Sequence, residues 1–179
     1  MHNISYKIAL GGIISSLCLL CMFLTGIMPV LYITLPMIAG ILMMIMSIEV
    51  DTRWAFVTYI STSILSLFIT FDKEATLLYI LLFGHYPIIK KHLDQIKNKM
   101  VRISIKLIIF NTCILSETVI AIKLLGSDEF YNQLIKKGYV SIIIYILAIN
   151  FICFSYDYCL KGLMQTYIKK LKPKLKSNK

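Results

Sequence analysis

The sequence predicts an all-α membrane protein, a bundle of about six transmembrane helices with both ends on the cytoplasmic side. Three observations predict it. First, 58% of the 179 residues are hydrophobic and only 16% are charged, with a mean hydropathy of +0.78. That is too little charge to cover a water-soluble domain. Second, long apolar runs recur along the whole chain. Runs such as Ile41 to Met46 and Ile142 to Ile149 do not alternate polar with apolar residues. In lipid every backbone polar group must be satisfied internally, so such runs are helices rather than barrel strands. Third, the basic residues gather on one side of the implied topology.

The helices are expected at about 7–28, 32–48, 53–71, 75–89, 104–126 and 138–161, forming a single integral membrane domain over 1–179. Runs of this length match a hydrocarbon slab of roughly 30 Å. Pro29 and Pro36 punctuate the first turn, and Pro87 is expected to end or kink the fourth helix. The first helix has no small-residue cleavage site followed by a polar mature region, which argues against a removed signal peptide. With six spans, Lys7, Arg53, the cluster Lys90, Lys91, Lys97, Lys99, Arg102 and Lys106, and the seven lysines from Lys161 to Lys179 share one side. These are 15 of the 19 basic residues, so that side is cytoplasmic. The net charge of +10 therefore reads as topology and not as nucleic-acid binding. The basic tail, 162–179, is expected to anchor against anionic head groups. In the link 92–103, Leu93, Ile96, Met100 and Ile103 fall at helical spacing, which predicts a short amphipathic inner helix.

Polar residues within the spans are the functional lead, because burying them in lipid is costly. Glu117 and Asn150 form a mid-membrane layer. His85, Asn111 and Asp157 form an inner polar layer, each four or five residues from a basic inner-side residue. Glu117 is a candidate for a cationic or hydrogen-bonding ligand or a proton. The alternative is an internal pair with Lys123 or a hydroxyl. In the last outer link, Phe130 and Tyr131 are candidates to cap a ligand. On the first helix, Gly11 with Ser15 and Gly12 with Ser16 make a double small-xxx-small pattern, suited either to internal packing or to docking a second membrane subunit. The five cysteines lie in apolar segments, and Cys18 and Cys21 lack a second pair, so no metal or cofactor is expected. Motifs of membrane enzymes and a nucleotide-binding loop are missing, so no catalytic residues and no enzymatic activity are expected.

The length, six helices, inside termini and small-residue first helix resemble the substrate-binding S components of energy-coupling factor transporters. The strings 83–91 and 106–111 also resemble uncharacterised Gram-positive bacterial membrane proteins grouped near them. The resemblance implies capture of a small molecule, such as a vitamin or related micronutrient, at the cell membrane. Glu117, Asn150, Phe130 and Tyr131 would then line the site. Gly11, Gly12, Ser15 and Ser16 occupy the place where that family meets its transmembrane coupling subunit, which works with ATPases. One subgroup binds metal through a histidine at position two. Here Met1-His2 continues as Asn3-Ile4-Ser5, outside that motif, so cobalt and nickel are not expected. The rival reading is a membrane scaffold of the rod-shape-determining type, which assembles partner proteins without transport.

Overall fold

Residues 4–126 and 138–171 are described by a computed structural model, and every regular element among them is helical. The chain divides into two units, residues 1–131 and 132–179, each described by itself.

In the first unit, α1 (Ile4–Ile27) is followed by a short 3-10 turn at Pro29–Leu31 and then by α2 (Thr34–Glu49). Helix α3 (Thr52–Ile69) starts at Asp51, whose Oδ1 accepts hydrogen bonds from the backbone N–H groups of Arg53 (2.8 Å) and Trp54 (3.1 Å). Those bonds satisfy donors that a helix start leaves unpaired. Asp72 caps α4 (Lys73–Leu78) in the same way through Ala75 N–H, at 3.0 Å. Helix α4 runs into a π turn, Tyr79–Phe83, and α5 covers Tyr86–Leu93. Asn98 caps α6 (Lys99–Ile120), which ends in a second π turn, Ala121–Leu125. Gly126, at φ +65°, closes that turn in the left-handed region open to glycine.

Side-chain pairs fix the directions of these helices. Lys7 near the start of α1 meets Asp51 ahead of α3, with Nζ to Oδ2 at 3.7 Å. Phe23 near the end of α1 meets Phe71 beyond α3, with ring centroids 5.8 Å apart. Helices α1, α2 and α3 therefore run up, down and up, and the unit has a Lys7 end and a Phe71 end. The second unit contains α7 (Tyr139–Thr166), which continues as a π turn, Tyr167–Leu171.

Three helices among the described residues are long and apolar enough to cross a membrane: Ile4–Ile27, Lys99–Lys123 and Tyr139–Lys169. Helix α2 is apolar but has 16 residues, about 24 Å at 1.5 Å per residue. Around an apolar core, many large apolar side chains also lie on the surface and several small polar ones lie inside. Ile13, Ile60, Phe68, Leu115 and Phe151 are exposed, while Thr25, Thr58, Thr62, Ser66 and Thr76 are buried. Exposed apolar surface on this scale suits a hydrocarbon surrounding.

Four expectations change. The fourth helix is not continuous over 75–89. It widens into a π turn, stops at Gly84 and His85, and restarts at Tyr86. Pro87 does not terminate it. Pro87 lies in the first turn of α5, where its missing N–H costs no hydrogen bond. No single amphipathic helix spans 92–103, because α5 stops at Leu93 and the Asn98 cap starts α6 anew. The last helix also continues past 161 into the first part of the expected tail. No proline occurs there before Pro173.

Candidate functional site

Glu117 lies on α6, about two and a half turns before Gly126, and is 8% exposed. Its carboxylate takes part in no hydrogen bond or ion pair among the described residues. The expected alternative partner, Lys123, is exposed. Six residues separate the two, which puts them roughly 120° apart around the helix. Helix α4 packs against the turn 121–125, which brings Glu74 of its first turn within electrostatic reach of Glu117. Tyr32, in the link between α1 and α2, belongs to the same cluster. Burial, and then the Glu74, Glu117 and Asp72 carboxylates, push its phenol up from the ordinary value. The Lys73 ammonium turns to the backbone. It donates to the carbonyls of Leu67 and Thr70, both at 2.7 Å, where it closes the end of α3. Near the Phe71 end of the first unit, the buried Glu117 carboxylate thus lies within electrostatic reach of Glu74 and Tyr32.

The other mid-membrane and inner candidates divide between the units. His85 follows the π turn, with Nδ1 3.3 Å from the Ile80 carbonyl and Nε2 4.0 Å from Cys113 Sγ of α6. Asn111 donates to the Leu107 carbonyl of its own helix at 2.8 Å. Asn150, which donates to Ile146 O at 2.9 Å, and Asp157 belong to α7 in the second unit. Phe130 and Tyr131 lie outside the described residues.

The small residues of α1 split by face. A Cβ on Gly11 would lie 3.3 Å from Thr58 Oγ1 and 3.6 Å from the Met46 methyl, so Gly11 lets α3 and α2 approach. Ser15 is half-buried beside it. A Cβ on Gly12 would meet nothing within 4 Å. Gly12 and Ser16 are exposed, and Ser16 Oγ donates to Gly12 O at 2.7 Å. The doubled pattern therefore serves internal packing through Gly11 and leaves an open small-residue face at Gly12 and Ser16. Gly11→Leu is expected to cost about 1–3 kcal/mol by overpacking, whereas Gly12→Leu leaves stability unchanged. Thermal unfolding in detergent measures both.

Two polar groupings escape the sequence reading. Thr58, Thr62 and Ser66 recur every four residues on α3 and are buried. Thr62 Oγ1 lies 2.9 Å from the hydroxyl of fully buried Tyr79. The four-residue spacing is legible in the sequence. The second grouping is ionic. Lys106 Nζ lies 2.8 Å from Asp94 Oδ1, and Lys90 Nζ lies 3.3 Å from Oδ2. Both lysine side chains are almost wholly buried, so these two members of the basic cluster are interior residues. Lys90 and Asp94 stand at i, i+4, a legible pairing. Lys106 lies beyond local helical range.

The five cysteines are free thiols. Cys18 is buried, with Sγ 3.4 Å from Ala39 O. No group of three His, Cys, Asp or Glu side chains among the described residues is arranged to hold a metal ion. No family model, curated protein or solved structure matches the chain.

Proposed function

We propose that this protein is a polytopic plasma-membrane protein of about six spans, with both ends inside, that captures a small molecule from the outer side. On this reading it is the substrate-binding subunit of a transporter of the energy-coupling factor type, and a coupling subunit and ATPases supply the energy. The observation that carries the reading is Glu117, a buried carboxylate without an ion pair among the described residues, on a helix long and apolar enough to span. A buried ionisable group within a span is expensive and marks a ligand or ion path. The Lys7 end faces the cytoplasm under the charge rule, which turns the Glu117 end outward. On the same reading, Asn150, Phe130 and Tyr131 stay ligand candidates from the sequence. His85, Asn111 and Asp157 serve helix packing or coupling. The exposed Gly12 and Ser16 face supports close approach of a partner helix.

Native mass spectrometry of the purified protein, together with identification of co-purifying proteins, tests the reading. A retained small molecule and an associated ATPase pair are the expected result. Gly12→Leu should strip the partners without unfolding the protein. A repeatedly empty protein that co-purifies with cell-wall machinery and never with an ATPase would favour the scaffold and sink the capture role.

A further inference from the structure

The π turn at Tyr79–Phe83 ends at Gly84, and His85 follows it before α5 begins. Turns of this kind are rare and gather at functional sites. This one aims an imidazole. Ile80 O, within the turn, lies 3.3 Å from His85 Nδ1, and a carbonyl oxygen can only accept. Nδ1 therefore carries the ring proton, and Nε2 keeps its lone pair. The Tyr59 hydroxyl donates to the same carbonyl, and its ring lies 6.1 Å from the imidazole. Helix α6 packs against the turn and brings Cys113 Sγ to 4.0 Å from Nε2. An imidazole whose Nδ1–H is held by a backbone carbonyl, with Nε2 presented, has the orientation of a metal-ligating histidine.

We infer that His85 Nε2 and Cys113 Sγ form a two-ligand site for a soft monovalent metal ion of the copper(I) class. The inference does not depend on the capture reading. Three features select the ion. The first is the donor pair, because thiolate and imidazole suit copper(I), while hard cations take oxygen ligands. The second is spacing. With bonds of roughly 2.0 Å to nitrogen and 2.3 Å to sulfur, a tetrahedral pair stands about 3.5 Å apart and a linear pair about 4.3 Å. The observed 4.0 Å exceeds the tetrahedral spacing and suits low coordination. Zinc closes a structural site with four ligands, and no group of three His, Cys, Asp or Glu side chains converges among the described residues. The third is charge. Both residues are half-buried. On binding, the S–H bond breaks, the S–metal bond forms and the proton leaves to solvent, with no change of oxidation state. A thiolate, a monovalent ion and a neutral imidazole sum to zero charge. A divalent ion would leave a positive charge in apolar surroundings, which is costly.

The test uses the full chain in lipid nanodiscs, without oxygen and with ascorbate, and titrates copper(I) against a coloured copper(I) chelator. Cys18→Ala, Cys21→Ala, Cys153→Ala and Cys159→Ala together leave Cys113 as the sole thiol. One copper(I) per chain is expected, with one nitrogen and one sulfur bound to it in X-ray absorption. Adding His85→Ala or Cys113→Ser should each weaken retention by about tenfold or more. Zinc(II) in excess should not displace the copper(I). If the fourfold variant fails to insert, His85→Ala and Cys113→Ser in the wild-type chain carry the test, each as the loss of one bound equivalent. Copper(I) held by sulfur without nitrogen, or held equally well after His85→Ala, would overturn the site. Zinc(II) bound as tightly as copper(I) would overturn it too.

Discussion

Asp94→Ala is expected to be among the most damaging single substitutions in the first unit, at about 3 kcal/mol of stability. Asp94 is the carboxylate shared by Lys106 at 2.8 Å and Lys90 at 3.3 Å, and both ammonium groups sit in the interior. Removing it leaves two buried positive charges close together. The lysines have interactions besides Asp94, which keeps the expected cost at the low end for a broken buried pair. The comparison with Lys106→Met is diagnostic. That change leaves Asp94 paired with Lys90, and Asp94 is 30% exposed, so water solvates its free oxygen. Methionine also replaces the apolar stem of the lysine. Lys106→Met should therefore cost less than half as much. Asp94→Asn keeps an acceptor oxygen but no charge, and should fall between the two. Unfolding is followed by the reaction of fully buried Cys18 with a thiol-reactive dye on heating. An Asp94→Ala protein that exposes Cys18 at the wild-type temperature would show that the ionic cluster contributes nothing to the fold.

The all-helical character was legible because apolar runs that do not alternate have no other solution in lipid. Helix starts were legible to within two residues at α3 and α4, expected at 53 and 75 and found at Thr52 and Lys73. The break between α4 and α5 was only half legible. Gly84 and Pro87 announce an interruption, yet proline suits a first helical turn as well as it ends a last one. The choice between these is made by packing. The burial of Lys90 and Lys106 was hidden for a different reason. Composition shows a basic loop, and only the folded chain brings Lys106 back to Asp94. The candidate site followed the same pattern. Glu117 stood out in the sequence because it is an acid within an apolar helix. Glu74 and Tyr32 did not, because each lies at a helix end far from Glu117 in sequence, and only the folded chain brings them within its electrostatic reach. Gly11 and Gly12 were indistinguishable in sequence, and the positions of α2 and α3 separate them.

Gly84→Ala is the second large expected effect, at about 2–3 kcal/mol. The φ of Gly84 is −75°, which any residue adopts, so backbone conformation adds nothing to the cost. The cost is steric. A Cβ would lie 2.6 and 2.8 Å from two ring carbons of Tyr59 and 2.9 Å from the Tyr79 carbonyl oxygen. Neither neighbour is free to retreat. The Tyr59 hydroxyl donates to Ile80 O at 2.5 Å, and its ring lies 6.1 Å from both the Tyr79 and His85 rings. The Tyr79 carbonyl accepts the Gly84 N–H at 2.7 Å and closes the π turn. Alanine must therefore open one of these two hydrogen bonds. A double-mutant cycle with Tyr59→Ala tells which one. Removing the ring should restore only part of the lost stability, because the carbonyl at 2.9 Å remains. Complete restoration would mean that the π turn yields freely and that the ring alone demands glycine. Gly162→Ala provides the opposite sign. It lies inside α7, where a Cβ would meet nothing within 4 Å, and should stabilise the protein by up to about 1 kcal/mol through helix propensity. Gly84→Ala and Gly162→Ala unfolding at the same temperature would overturn the steric account of Gly84.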